Sequence, residues 1–195
     1  MNRPCVLGLF VAALATLPVS CSHGPDIDWS AKENFFAVEK SQETDEGARL
    51  EFHSLVDAPA RGVYDALADV DHYVDFVDGV SESKLESTEA NTKTIQITQT
   101  VIGRQSRARV KWTMDPANLI VKFETLQSDA NYNNGTFQVY PSADGQRCYV
   151  ISVYDVKSKG APQNVPLGVL KSATRESFEK AARSVKRRAL GQPKA

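Results

Sequence analysis

Between Ser81 and Val156 apolar and polar side chains alternate along the chain. Ile95, Ile97 and Val101 alternate with Thr94, Gln96, Thr98 and Thr100. Ala108, Val110, Trp112 and Met114 alternate with Arg107, Arg109, Lys111 and Thr113, and Val121, Phe123, Phe137 and Val139 repeat the pattern. A period of two sends successive side chains to opposite faces, so each run predicts a strand with one covered and one wet face. Turn formers separate the runs: Ile102-Gly103-Arg104, Asp115-Pro116-Ala117-Asn118, Asn133-Asn134-Gly135 and Ala143-Asp144-Gly145. Short turns between alternating runs predict an antiparallel meander.

The flanking segments complete the pattern. Phe35 to Lys40 reads as a strand, Asp45-Glu46-Gly47 as a turn and Arg49 to Phe52 as a second strand. Pro59 then opens a helix, where its missing N–H is harmless, and Val63, Tyr64, Leu67 and Val70 form its apolar face. After a break near Asp71, Tyr73, Phe76 and Val77 predict a second short helix. After Pro166, the residues Leu167, Leu170, Thr174, Phe178, Ala181 and Val185 recur at helical steps. Lys171, Arg175, Glu176, Glu179, Lys180 and Arg183 occupy the opposite face. The helix stripe and the covered sheet face have only each other to bury against. The expected architecture is α+β: a curved antiparallel sheet of about seven strands around a long C-terminal helix, with two short helices near the start. It occupies residues 35–190 and leaves 191–195 as a tail.

An apolar fraction of 42% can supply such a core, so wholesale disorder is excluded. With 23 basic and 24 acidic residues, the net charge of −1 gives nucleic acid no global attraction. The cluster Lys186-Arg187-Arg188 reads as a helix end whose cations suit the dipole, with capture of a protein partner as the rival reading.

The first residues change the picture. Arg3 precedes an apolar run from Val6 to Leu17, too short to cross a bilayer, which takes roughly 20 apolar residues. With Pro18-Val19-Ser20-Cys21 it predicts a signal peptide over residues 1–20. The segment Leu17 to Cys21 resembles a bacterial lipobox, although Pro18 stands where leucine is usual. That resemblance implies a mature chain beginning at a lipidated Cys21, with residues 21–34 as a tether. It also implies export to the bacterial cell envelope and anchoring at the outer membrane, facing the periplasm. Of the other cysteines, Cys5 leaves with the signal, and Cys148 in an apolar strand reads as a small buried hydrophobe.

Motifs for nucleotide, metal or nucleophile chemistry are missing: there is no GxGxxG, P-loop, HExxH, CxxC or GxSxG. His23, His53 and His72 read as exposed or satisfied histidines, and no spacing argument joins His53 to Asp155. No catalytic set, metal site or cofactor is therefore expected. Tyr64, Tyr73, Trp112, Tyr149 and Tyr154 are the amphipathic aromatics that could give an apolar pocket its polar handles.

Three stretches carry a family resemblance. Ala58-Pro59-Ala60-Arg61-Gly62-Val63-Tyr64, continuing through Leu67, Asp69, Tyr73 and Phe76, resembles the opening of the START-like (SRPBCC) superfamily, which includes polyketide cyclase/dehydrase and coenzyme Q-binding-like proteins. Asn134-Gly135-Thr136-Phe137-Gln138-Val139 resembles one of its strands, and Val165-Pro166-Leu167 resembles the start of its final helix in exported members. Asp78 and Gly79 stand where a proline usually follows the opening motif. The resemblance implies a helix-grip fold with a cavity between sheet and helix. The inward phases then assign ligand contacts to Phe52, Tyr64, Ile97, Val110, Trp112, Phe123, Phe137, Val139, Leu170, Thr174 and Phe178. The expected function is a monomeric binding or carrier protein for an apolar ligand such as a lipid, isoprenoid or quinone. The alternative is a cyclase/aromatase-type enzyme acting on a polyketide-like substrate in the same cavity.

Overall fold

The computed structural model describes residues 25–101, 103–157 and 166–194. The signal segment 1–20, His23 and the lipidation candidate Cys21 lie outside the described residues. The chain opens with a hairpin, β1 (Asn34–Thr44) and β2 (Gly47–Val56). Helix α1 (Ala60–Ala68), a single 3-10 turn at Val70–His72 and helix α2 (Tyr73–Phe76) follow. Six strands come next: β3 (Val80–Glu89), β4 (Thr92–Val101), β5 (Arg104–Asp115), β6 (Ile120–Ser128), β7 (Tyr132–Pro141) and β8 (Cys148–Lys157). The long helix α3 (Leu167–Ala189) is last, with Pro166 at its N-cap.

The strands form one antiparallel sheet in the order β1-β2-β8-β7-β6-β5-β4-β3. Pairing of β2 with β8 sets Phe52 opposite Ser152 and Leu50 opposite Tyr154, which joins the first hairpin to the end of the meander. Irregular registers at Asn34/Val38, Val80/Glu82, Leu85/Ser87 and Arg109/Val110 bend the strands locally, as bulges do, and the sheet curls without closing. It has eight strands, one more than the alternation predicts. The additional strand is β3, an edge strand that after Val80 has Leu85 as its one apolar side chain, itself exposed, and so carries no alternating signal.

The second difference is Asn133-Asn134-Gly135, which lies inside β7 instead of forming a turn. The chain reverses earlier, at Asp129 to Asn131. Glycine is needed in mid-strand because a Cβ there would stand 2.6 Å from the Phe123 ring and 2.2 Å from the Val153 carbonyl oxygen.

α3 lies across the concave face and buries Leu170, Ala173, Thr174, Phe178, Ser184 and Val185. The basic cluster at its end is internal fastening. Lys186 pairs with Glu33 (2.7 Å), Arg187 with Asp78 (2.6 Å) and Arg188 with Asp69 (2.8 Å). At that same end of the sheet Arg147, in the β7–β8 turn, donates to the carbonyls of Ala31 (2.9 Å) and Trp29 and pairs with Asp57. These contacts fix the N-terminal segment against the domain. Among the described residues no helix is long and apolar enough to cross a membrane.

Candidate ligand cavity

The cavity follows from a mismatch of side-chain sizes. On α3 the large residues Leu170, Phe178 and Val185 reach the sheet, whereas Ala173, Thr174, Ser177, Ala181 and Ala182 do not fill the space between. The curled sheet supplies Trp112, Phe123, Phe137 and Tyr154 opposite these small residues, with Ile97, Val110 and Val150 beside them. Val63, Leu67, Tyr73 and Val77 close the end under α1 and α2. The space left is about 210 Å³, walled mainly by carbon.

The aromatic rings form a connected network that runs from the β1–β2 hairpin into the wall of this space. Phe36 and Tyr154 both meet Phe52 and Phe178 edge-on, and Tyr154 also contacts Phe123 and Phe137. Phe123 then meets Trp112 at 5.2 Å, and Trp112 meets Tyr73 edge-on at 5.7 Å. Each arrangement is an edge-to-face or offset geometry that aromatic quadrupoles favour.

Polar groups enter the wall in two ways. At the rim, where β4 ends and β5 and β7 begin, Gln99, Ser106, Asn131 and Asn133 are half-buried. Thr125 donates there to the Asn133 carbonyl (2.6 Å), and the Asn131 amide to the Asn133 side-chain oxygen (2.9 Å). Deeper, Ser54 donates to the Phe35 carbonyl (2.8 Å) and Tyr73 to the Leu67 carbonyl (2.7 Å). Ser152 is fully buried and its hydroxyl has no partner. Burial pushes the phenols of Tyr73 and Tyr154 well above their ordinary value, and the nearby Tyr154 adds to the rise at Tyr73. Both therefore stay protonated, with an O–H to donate.

Eight of the eleven residues assigned from sequence line the cavity: Ile97, Val110, Trp112, Phe123, Phe137, Leu170, Thr174 and Phe178. Three do not. Phe52 has the inward phase, but Phe178 stacks over it and leaves it 1% exposed. Tyr64 is buried in the main core, with the Arg61 guanidinium 5.3 Å from its ring. Val139 lies in that same core, beyond Phe137 toward the end of β7 against which α1 packs. Ser152 and Val150 were missed because Cys148 to Val153 is nearly all apolar, so its alternation is hidden, whereas Tyr154, named from the sequence as a polar handle, stands in the wall. Their parity with Cys148 is the signal that could have found them.

The histidines stand apart from the cavity. His53 is buried on the other face of the sheet, its Nδ1 2.9 Å from the Tyr149 hydroxyl and its Nε2 against Glu51, itself held by Lys40. Asp155 pairs with Arg49 at 3.0 Å. His72 is exposed and bonds Asp69 at 2.7 Å. Asp69, Asp71 and His72 are the one group of potential metal ligands among the described residues, but Lys93 and Arg188 already occupy the two carboxylates. Burial pushes the Cys148 thiol up to about 12, which makes it a poor nucleophile.

The geometry agrees with comparisons to known proteins. The family model for polyketide cyclase / dehydrase and lipid transport matches residues 56–183. The chain belongs to that family. A comparison with curated proteins gives no match. Solved structures share the fold of this family member. An aromatase/cyclase from Streptomyces sp. R1128 is 16% identical, with a TM-score of 0.65 over 73% of this chain and 93% of the other. A START superfamily protein from Mycobacterium smegmatis is 14% identical, with a TM-score of 0.64 over 73% of this chain and 97% of the other. A STAR-related lipid transfer protein from Xanthomonas axonopodis is 11% identical, with a TM-score of 0.61 over 77% of this chain and 91% of the other. At these identities the likeness concerns the fold alone.

Proposed function

We propose that this domain binds and carries a compact apolar molecule, or one end of a longer one, of the kind that lipids, isoprenoids and quinones provide. The observation that carries this reading is the aromatic-walled cavity of about 210 Å³. It exceeds the roughly 150 Å³ that suffices for benzene in an apolar protein cavity, and it is smaller than the roughly 300 Å³ at which ordinary ligand sites begin. Moving the ligand's apolar surface out of water drives binding, at about 0.8 kcal/mol per buried CH₂. A solved aromatase/cyclase and a solved lipid transfer protein share this fold, so the wall must decide between carrying and catalysis. Its ionisable side chains among the described residues are Tyr73, Tyr154 and Lys186. The phenols are held protonated, and the Lys186 ammonium is held by Glu33, so the groups supplied suit holding better than proton abstraction.

The proposal includes export and attachment to the cell envelope through a lipid on Cys21, with the domain on the periplasmic side of the outer membrane. Two acyl chains or more give stable anchoring. Protein extracted from its own membranes and examined by native mass spectrometry should carry an apolar molecule. After delipidation, rebinding should change Trp112 emission, because Trp112 stands in the wall and Trp29 lies outside the sheet. Val110→Phe should fill the space and abolish that change. Delipidated protein that ignores every lipid, isoprenoid and quinone offered, with Val110→Phe merely destabilising it, would refute the carrier reading. A start at an unmodified residue after Cys21 would refute the anchor.

A further inference from the structure

This inference rests on the carrier reading and narrows the ligand. The hydroxyls that the sheet and the short helices give the cavity wall are mostly spoken for: Ser54 by the Phe35 carbonyl, Tyr73 by the Leu67 carbonyl, Thr125 by the Asn133 carbonyl and Ser106 by Asp129. Ser152 and Tyr154 on β8 are not. β8 places Ser152 and Tyr154 two residues apart, on the same inward face. The Ser152 hydroxyl is completely buried with no partner, and the Tyr154 hydroxyl has none among the described residues. A fold that satisfies the neighbouring hydroxyls and leaves these two donors in an aromatic wall is built for an acceptor that arrives from outside.

The wall also limits the charge of that acceptor. Its cation among the described residues, Lys186, is neutralised by Glu33 at 2.7 Å, so a carboxylate or phosphate would be buried without a counter-ion. Tyr154 is surrounded by Phe52, Phe123, Phe137 and Phe178, with ring centroids 5.7 to 6.2 Å away, which favours a flat partner. We propose that Tyr154, with Ser152 beside it, recognises the carbonyl oxygen of a neutral ring-bearing ligand, the chemistry of a quinone or cyclic ketone. The oxygen meets Tyr154 first, since Ser152 is covered in the empty cavity.

The test uses two small probes of nearly equal shape, 1-indanone and indane, which differ in the carbonyl. Calorimetry on the full chain should show both binding the wild type. Tyr154→Phe should weaken 1-indanone by roughly fivefold, the worth of one net hydrogen bond, and leave indane unchanged. The infrared carbonyl band of 1-indanone should move to lower frequency in the wild-type complex and stay near its apolar-solvent position in the variant. The wild-type band alone tests the idea should Tyr154→Phe fail to fold. Binding of both probes with no band shift, or equal effects of the variant on both, overturns the carbonyl handle and leaves the cavity reading standing. Failure of both probes to bind overturns the two together.

Discussion

The ring of Phe178 on α3 stacks on the ring of Phe52 on β2, with centroids 4.6 Å apart and planes 19° from parallel. Phe36 and Tyr154 close on the same pair from the edges, so one helical side chain joins α3 to strands β1, β2 and β8. Phe178→Ala should therefore cost about 3–5 kcal/mol, as large core truncations do. Glu179, one residue on, makes an exposed i,i+4 pair with Arg183. Its change to alanine should cost about 0.5 kcal/mol or less. Urea melts of the two variants check this, and equal losses would mean that the helix faces another way.

Gly135→Ala adds one methyl group where β7 has room for none. The new carbon would meet both the Val153 carbonyl and the Phe123 ring. Overpacking of this kind costs about 1–3 kcal/mol. Because Phe123 is in the cavity wall, the displaced ring should also alter Trp112 emission, 5.2 Å away. A variant with wild-type stability and emission would show that the two strands have slack.

Removing a polar group should stabilise the empty protein. Ser152 holds its hydroxyl in the dry interior without a partner, and such a group costs about 1–3 kcal/mol. Ser152→Ala should raise the melting temperature of delipidated protein. The advantage should shrink when a carbonyl-bearing ligand is bound. A lower melting temperature in the empty state would mean that the hydroxyl is satisfied in solution.

The acidic corner after α1 predicts a pH dependence. The hydrogen bond from His72 to Asp69, then the charges of Asp69, Asp71 and Asp75, raise the imidazole above its ordinary value. A raised folded-state value stabilises the fold fully below the unfolded value of about 6.5, and the contribution fades as pH rises through the folded one. His72→Gln should thus lower stability at about pH 5.5 and have no electrostatic effect at about pH 9. Lys93 on Asp71 and Arg188 on Asp69 moderate the acidic field and should keep the effect small. A difference between the proteins that does not change with pH would show that Asp69 holds His72 by geometry alone.

Legibility in the sequence followed burial. Strands with one wet face, β4 and β5 above all, announced themselves by alternation, and α3 did so by its stripe. β3 did not, because an edge strand in water on both faces has no pattern to show. Asn133-Asn134-Gly135 misled for a related reason: composition marks where glycine is required, and here a ring required it, not a turn. Phase alone named Phe52 as a wall residue without knowing that Phe178 would cover it. At β8 both faces are covered, one by the cavity side chains and the other by His53, Leu55 and Tyr149, so Ser152 disappeared into an apolar run, and Tyr154 was legible by its residue type and not by its phase.

Arg147 ties residues 29–31 to one end of the sheet, and the cavity's polar rim lies at the other. Strands of ten residues at about 3.3 Å per residue separate the two by roughly 30 Å. The seven residue-to-residue steps from Cys21 to Asp28 reach at most about 25 Å when fully extended. A chain held to a bilayer through Cys21 would therefore be moored by its stern, on a line too short to let it turn bow-down onto the same membrane.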